Sequence, residues 1–323
     1  MADNPQTCLM TEPLPPLFLE RLKEIIPSKD YDACLTGFSA NRPLSVRINT
    51  LKGNRQKVFS LLKEDKIGYQ KMSWHEDALI LADTTARDLS ESEWIKNGIL
   101  YIQSLSSMLP VLVLDPRPGE NILDMCAAPG SKTTQIAAQM QNKGSVIAVD
   151  NVKSRFFRLK SVVSQWGCEI VSIKCTDARR LKPHGELFDR ILLDAPCSSE
   201  GRFKADDKES LAYWSVRKIK EMAHKQKGLL LSASRLLKPG GVLVYSTCTF
   251  SPEENEGAVD WLLKKTDQTF KVIPADIGKD IKTYPAIRRW EGRAYNRQTA
   301  HCLRVLPCGA MEGFFIAKLV KDN

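Results

Sequence analysis

From about Glu120 onward, short apolar runs alternate with turns and with stretches of helical period. This alternation predicts an α/β fold with a mostly parallel sheet and helices on both faces. The predicted helices cover residues 133–140, 152–166 and 215–237, and a last apolar run over residues 313–319 predicts a late strand that completes the sheet. The predicted strands before it are Asn121–Asp124, Ser145–Asp150 and residues 169–174, 190–194 and 241–246.

The first hundred residues have a different pattern. An amphipathic stretch over residues 17–26 predicts a helix, and the alternation over residues 44–48 predicts a strand. We therefore expect a small α+β domain over residues 1–100, followed by a catalytic domain over residues 101–323.

Acidic residues recur at one edge of the predicted sheet. Asp124, Asp150 and Asp194 each end a predicted strand, and Asp177 follows another by a few residues. Ligands of parallel sheets bind beyond the carboxyl ends of the strands. Structural caps would explain one or two of these acids, whereas four together predict a polar ligand.

The turn after the first of these strands is rich in small residues and runs from Asp124 to Thr133. It lacks the spaced glycines of a dinucleotide fingerprint and the arrangement of a Walker A loop. Asp150, 26 residues after Asp124, stands where an acid that holds ribose hydroxyls is expected, and Asp177 is placed to meet an adenine amino group. A nucleoside such as S-adenosylmethionine fits this pattern, with another kind of nucleotide-binding fold as the alternative.

Two cysteines follow neighbouring strands at the same edge. Cys197 lies in Asp-Ala-Pro-Cys-Ser-Ser, and Cys248 lies in Thr-Cys-Thr-Phe-Ser. Buried free cysteines are often small apolar residues, but a thiolate that adds to carbon 6 of cytosine would activate carbon 5 for methylation. A helix predicted to start at Ser251 and Pro252 would direct its positive end at Cys248 and favour the thiolate there. Asp194 would hold the amino edge of the base.

The charge is uneven along the chain. The formal net charge is +9; residues 1–115 carry 13 Lys and Arg against 15 Asp and Glu, and residues 116–323 carry 34 against 23. A basic surplus suggests a polyanionic partner, with a solvated lysine-rich surface as the alternative. The segment 288–297 interleaves arginines with Trp290 and Tyr295, which suggests phosphate contacts and base stacking, or else a plain basic loop.

The remaining composition limits the class of protein. None of the nine cysteines forms a Cys-x-x-Cys pair, so we expect no metal site. No apolar run is long enough for a membrane span. An odd number of cysteines without a secretion signal favours the cytoplasm. We expect a monomer.

Taken together, these segments resemble the Fmu/Sun/Nop family of S-adenosylmethionine-dependent RNA cytosine-5 methyltransferases. The resemblance extends from Asn41–Thr50 to residues 313–319, and it is most specific in the two cysteine motifs. It implies a Rossmann-like class I methyltransferase sheet, an N-terminal domain that helps to grip tRNA or rRNA, Cys248 as nucleophile, Cys197 in product release, and Lys132 close to the target base. The residues implied for the cofactor and base pocket are Cys126, Ala127, Ala128, Pro129, Gly130, Ser131, Lys132, Asp150, Arg155, Asp177 and Asp194.

Two other functions compete with this one. DNA cytosine-5 methyltransferases usually carry a Pro-Cys-Gln turn and a Glu-Asn-Val segment, and neither tripeptide occurs in this chain. A catalytically idle RNA-binding or assembly factor would be expected to lose a cysteine or a cofactor acid. Asp194, Cys197 and a water molecule all remain candidates for the base that removes the carbon 5 proton.

Overall fold

A computed structural model describes residues 14–39, 42–182, 187–267 and 269–323. Asn41, where the family resemblance begins, lies outside these residues. The elements up to residue 102 are α1 (Pro16–Ile25), α2 (Ser28–Ser39), β1 (Ser45–Ile48), α3 (Arg55–Glu64), β2 (Tyr69–Met72), β3 (His75–Leu81), α4 (Ala86–Glu91), α5 (Glu93–Lys96) and β4 (Leu100–Ile102).

The remaining elements are α6 (Leu105–Leu114), β5 (Asn121–Asp124), α7 (Ser131–Gln139), β6 (Ser145–Asp150), α8 (Lys153–Gln165), β7 (Val171–Cys175), β8 (Phe188–Asp194), α9 (Lys208–Leu211), α10 (Val216–Leu236), β9 (Leu237–Thr247), α11 (Glu256–Lys265), β10 (Phe270–Ile273), β11 (Thr283–Tyr284), β12 (Arg289–Trp290), β13 (Arg293–Ala294), β14 (Leu303–Val305) and β15 (Phe314–Lys321).

The large sheet has the strand order β11-β14-β15-β9-β8-β5-β6-β7, and β10 also pairs with β15. Strands β5 to β9 are parallel, and β15 runs antiparallel beside β9. Alternate strand residues face opposite sides: Leu123 packs in the cluster with α10 and α11, whereas Ile122 packs in the cluster with α6 and α7. This arrangement confirms the predicted parallel sheet with helices on both faces and a late completing strand.

The N-terminal residues form two packing units. Strands β2-β3-β1-β4 make an antiparallel sheet with its own apolar cluster. Helices α1 and α2 instead pack against the region that follows Cys248, where Phe18 and Phe38 contact the ring of Phe250. Helices α1 and α2 therefore support the back of the Cys248 loop.

One local prediction was wrong, and one of two alternatives is excluded. The helix predicted at Ser251 and Pro252 begins instead at Glu256. The segment 288–297 is an exposed hairpin, β12 and β13, but the ring of Trp290 is buried under Arg21, whose guanidinium lies 4.9 Å from the ring centre. The ring of Trp290 is therefore closed to RNA bases.

Candidate active site

The carboxyl ends of the parallel strands meet at one edge of the sheet. Asp150, at the end of β6, is in register with Cys175 of β7, and Asp194, at the end of β8, is in register with Ser246 of β9. A cavity of about 850 Å³ opens at this edge, within the range typical of small-molecule sites. The predicted site residues that line it are Cys126, Ala127, Ala128, Pro129, Ser131, Lys132, Asp150, Arg155, Asp177, Asp194, Cys197 and Cys248.

Gly130 and Asp124 lie behind this wall. Gly130 has φ +113°, and a Cβ atom on it would lie 2.8 Å from Cγ1 of Val162 in α8. The glycine is therefore needed for the turn and for packing against α8, rather than for close approach to a ligand. Asp124 is buried, accepts a hydrogen bond from Thr133 Oγ1 at 2.7 Å, and burial raises its pKa to about 6.

Asp150, one of the acids of the cavity wall, forms an ion pair with an arginine. Asp150 accepts a hydrogen bond from the Val152 backbone N–H at 3.0 Å and lies 3.3 Å from Arg155 Nη2, which also donates to the Ala128 carbonyl at 2.6 Å. Arg155 thus connects the end of β6 to the loop after β5.

Asp177 lies farther along the same wall. It caps a short 3₁₀ helix and pairs with Arg179 at 2.6 Å. Hydrogen bonding from Arg179 lowers the pKa of Asp177. Its carboxylate therefore stays ionised and can accept hydrogen bonds from a nucleoside.

An ion pair joins the first turn of α7 to the end of β8. Lys132 Nζ lies 2.7 Å from Asp194 Oδ2 and donates to Ser107 Oγ at 2.7 Å. Ser246 Oγ donates to the other oxygen of Asp194, also at 2.7 Å. Both carboxylate oxygens are thereby oriented, so Asp194 presents a fixed acceptor to the cavity.

The two cysteines face each other, with Cys197 Sγ 3.4 Å from Cys248 Sγ. The hydrogen bond from Cys197 lowers the pKa of Cys248, whereas the hydrogen bond to Cys248, together with burial, raises the pKa of Cys197. Of the two sulfurs, Cys248 is therefore the one that ionises more easily. The predicted cause was wrong: because α11 begins eight residues later, the neighbouring sulfur and not a helix end lowers the pKa of Cys248.

Sequence reasoning missed several charged residues around the sulfurs. Arg202 and Glu312 line the cavity, with Arg202 Nε 3.9 Å from Glu312 Oε1. Glu200 and Glu254 lie buried beneath the two cysteine loops. Glu254 stands three residues after Ser251, which is the spacing of a helix capping box, and only its spatial neighbours reveal another role. Among the described residues, no group of three or more His, Cys, Asp or Glu side chains could hold a metal ion. Nor is any described helix long and apolar enough to cross a membrane.

The residues present fit S-adenosylmethionine. Asp150 and Asp177 supply carboxylates suited to ribose hydroxyls and an adenine amino group. The small side chains of Ala127 and Ala128 add apolar surface to the cavity lining.

Two family models match the chain. Residues 111–320 match the 16S rRNA methyltransferase RsmB/F model, and residues 14–87 match the RsmF/B-like ferredoxin-like domain. The chain belongs to the RsmB/F methyltransferase family. The Fmu/Sun/Nop resemblance is thereby confirmed, and the N-terminal residues that precede the Rossmann-like catalytic fold have a family model of their own.

Curated relatives give the reaction. A tRNA (cytosine(49)-C(5))-methyltransferase from Pyrococcus abyssi is 39% identical over 94% of this chain and 96% of its own length. A ribosomal RNA small subunit methyltransferase F from Erwinia tasmaniensis is 35% identical over 95% of this chain but only 63% of its own length. This RsmB/F protein is accordingly an RNA cytosine-5 methyltransferase, not an idle scaffold.

Solved structures agree on the fold and the cofactor. NSun6 from Pyrococcus horikoshii, solved with SFG, an analogue of S-adenosylmethionine, has a TM-score of 0.80 at 25% identity and covers 97% of this chain and 99% of its own. A methyltransferase homologue from the same organism has a TM-score of 0.77 at 29% identity, covering 95% of this chain and 100% of its own. S-adenosylmethionine is the methyl donor of the RsmB/F enzyme.

Proposed function

We propose that this enzyme methylates a cytosine of tRNA through a covalent bond to Cys248, and that Cys197 assists release. The observation that carries the assignment of roles is the 3.4 Å sulfur contact, across which the pKa of Cys248 falls and that of Cys197 rises. The thiolate is the nucleophile of cysteine chemistry, so Cys248 is the residue that attacks.

Different residues of the site serve different steps of the proposed reaction. The Cys248 sulfur bonds to carbon 6 of the cytosine, which makes carbon 5 nucleophilic; the bound cofactor supplies a sulfonium methyl to that carbon. The Asp194 carboxylate accepts a hydrogen bond from the base amino group, and Lys132 holds Asp194 in place from 2.7 Å. Loss of the carbon 5 proton then breaks the sulfur–carbon bond and restores the ring. Cys126, Ala127, Ala128, Pro129, Ser131, Asp150, Arg155 and Asp177 hold the cofactor, with Gly130 shaping their loop.

tRNA is proposed because the relative matched over nearly its whole length is named as a tRNA enzyme. The target cytosine must leave any base stack to enter the cavity. The RNA is bound by both domains: the N-terminal domain, residues 1–100, and the basic catalytic domain, residues 101–323. The enzyme works as a monomer in the cytoplasm, where a reducing environment keeps two adjacent sulfurs free.

The assignment of roles is tested with three single variants incubated with tRNA and S-adenosylmethionine. Cys248→Ala abolishes methyl transfer and forms no adduct. Cys197→Ala accumulates a covalent RNA–protein adduct that survives denaturing gel electrophoresis. Cys175→Ala, which removes an exposed cysteine outside the cavity, behaves as the native enzyme. An adduct in Cys248→Ala but not in Cys197→Ala would reverse the roles.

The substrate class is tested by bisulfite sequencing of total RNA from cells that lack the gene. Loss of one methylcytosine from tRNA is expected. Loss from ribosomal RNA alone would overturn the choice of tRNA while leaving the chemistry intact.

A further inference from the structure

Two buried carboxyl groups lie beneath the cysteine loops, outside the cavity wall. Glu200 is 1% exposed and Glu254 is 0% exposed. Among the residues that the structure describes, neither forms an ion pair with a lysine or arginine. Buried charges without a paired cation are costly, so the protonation of these two groups has to be explained by their hydrogen bonds.

Glu200 accepts hydrogen bonds at both carboxylate oxygens. Trp214 Nε1 and Ser251 Oγ each donate to Oε1 at 2.8 Å, while Thr249 Oγ1 and the Phe250 backbone N–H donate to Oε2 at 2.7 and 3.0 Å. Each oxygen thus accepts from one N–H group that can only donate, which matches an ionised carboxylate. Glu200 therefore carries the negative charge.

Glu254 lies at the other end of a chain of oxygen contacts. Its Oε2 accepts from the Ser198 backbone N–H at 3.0 Å and from Gln226 Nε2 at 2.8 Å, and its Oε1 contacts Ser198 Oγ. Ser198 Oγ in turn lies 2.7 Å from Thr249 Oγ1. The chain thus runs from Glu254 through the hydroxyls of Ser198 and Thr249 to Glu200.

Counting hydrogens decides which end is protonated. The chain contains three oxygen–oxygen contacts, but its two hydroxyls supply only two hydrogens. The third hydrogen has to come from a carboxyl group. Each oxygen of Glu200 accepts from an N–H group that can only donate, whereas the two short N–H contacts of Glu254 both go to Oε2 and leave Oε1 for the proton. It therefore sits on Glu254 Oε1, so that Glu254 donates to Ser198, Ser198 to Thr249, and Thr249 to Glu200.

The electrostatic surroundings agree with this count. Burial and then the charge of Glu200 raise the pKa of Glu254 to about 8, against the opposing hydrogen bonds of Ser198 and Gln226. The other titratable groups that face it are Cys197 and Tyr245, whose hydroxyl donates to the Glu254 backbone carbonyl at 2.5 Å. None of these neighbours supplies a positive charge.

We propose that Glu254 is a positioning residue that works as a neutral carboxylic acid, and that its proton completes a hydrogen-bonded clamp between the Cys197 loop and the Cys248 loop. The proposal rests on the proposed roles of the two sulfurs. Ser198 follows Cys197 in sequence and Thr249 follows Cys248, so the clamp sets the 3.4 Å separation of the sulfurs. When Glu254 loses its proton, only two hydrogens remain for the three oxygen–oxygen contacts of the clamp. The ionised Glu254 also adds a second negative charge beside Cys197. The methylation rate is therefore expected to fall above pH 8.

Two substitutions of Glu254 test this role: one keeps the length of the side chain without the acid, and the other keeps the acid on a shorter side chain. In Glu254→Gln the amide N–H₂ can donate to Ser198 Oγ while the carbonyl accepts from the Ser198 backbone N–H. This variant is expected to keep methylation at pH 7 within about threefold and to lose the alkaline fall. Glu254→Asp keeps an acid but is one methylene too short to reach Ser198, so it is expected to lose about tenfold or more, as when a buried hydrogen bond is broken.

A neighbouring acid supplies the matched control. Glu253 pairs with Arg21 at 2.8 Å, outside the clamp, and Glu253→Gln is expected to retain the alkaline fall. If Glu254→Gln loses as much activity as Glu254→Asp, or if its alkaline fall persists, a neutral acid is not what the site requires. If Glu254→Gln fails to fold, Thr249 offers a second test. Thr249→Val removes the Thr249 hydroxyl from the clamp and is expected to slow methylation at least about tenfold more than Thr249→Ser, which keeps a hydroxyl. Equal methylation rates in these two variants would reject the clamp.

An infrared measurement makes the test independent of activity. The difference spectrum of native enzyme minus Glu254→Gln at pH 7 is expected to contain the carbonyl stretch of a protonated carboxyl group, which disappears above pH 8. Its absence at pH 7 would overturn the proposal. If the enzyme methylated no RNA, the proposed function would fail while this band still reported on Glu254.

Discussion

Gly130 offers the sharpest test of how the cofactor loop is held. Its φ of +113° disfavours any side chain, and a Cβ there would approach Val162 Cγ1 to 2.8 Å and Leu159 Cδ1 to 3.1 Å. Gly119, just before β5, provides a matched control: its φ is +92°, but a Cβ on it would meet nothing within 4 Å. Both glycine-to-alanine variants therefore suffer backbone strain, and only Gly130→Ala adds a steric overlap.

The two contributions can be estimated separately. A left-handed backbone costs an L-residue about 1–2 kcal/mol, and overpacking a tight site costs roughly 1–3 kcal/mol more. Gly119→Ala is thus expected to lower the free energy of unfolding by about 1–2 kcal/mol and Gly130→Ala by about 2–5 kcal/mol. Since the overlap pushes the loop away from α8, Gly130→Ala should also weaken S-adenosylmethionine binding.

Denaturant unfolding and isothermal titration with S-adenosylmethionine measure these effects. Gly119→Ala is expected to bind the cofactor as tightly as the native enzyme. Equal destabilisation of the two variants would show that the α8 contact does not matter. Unchanged cofactor affinity in Gly130→Ala would show that the loop does not depend on this packing.

Two further substitutions probe charged pairs. Glu256→Gln removes the charge beside Arg304, whose Nε lies 2.6 Å away in a site where both residues are 1% exposed or less. Denaturant unfolding should show a loss of about 3–5 kcal/mol, against about 0.5 kcal/mol for Glu91→Gln, which breaks an exposed helical pair with Arg87. Similar losses in the two variants would contradict the buried-pair argument. Lys132→Met removes the partner of Asp194, so single-turnover methylation at saturating S-adenosylmethionine should fall about 100-fold while cofactor affinity changes little; a loss confined to affinity would place Lys132 in cofactor binding alone.

Sequence alone predicted those features that depend on local pattern. The strands β5 and β6 match their predicted bounds because each is an apolar run that ends in an aspartate. The meeting of Asp150, Asp194 and the two cysteines at one cavity also follows from parallel strands, whose carboxyl ends share an edge.

Features that depend on distant partners were not predictable in this way. Ser251 and Glu254 have the spacing of a capping box, yet Ser251 donates to Glu200 and Glu254 binds Ser198. These partners lie about fifty residues away in sequence, so the local helix signal gave a wrong boundary. Base stacking on Trp290 remained one of two alternatives for the same reason, because nothing near it in sequence indicates that Arg21 covers the ring.

The sulfur contact also suggests why two cysteines serve better than one. In the proposed mechanism the Cys197 thiol donates to the Cys248 sulfur before attack, and this hydrogen bond is the largest of the effects that raise the pKa of Cys197. Once the Cys248 sulfur is bonded to carbon 6, it carries no negative charge and accepts hydrogen bonds only weakly. We therefore expect Cys197 to become easier to ionise after the adduct has formed, when a base is needed to remove the carbon 5 proton. Formation of the adduct would in this way prepare the group that resolves it, and Cys197→Ala would stop the reaction at that stage.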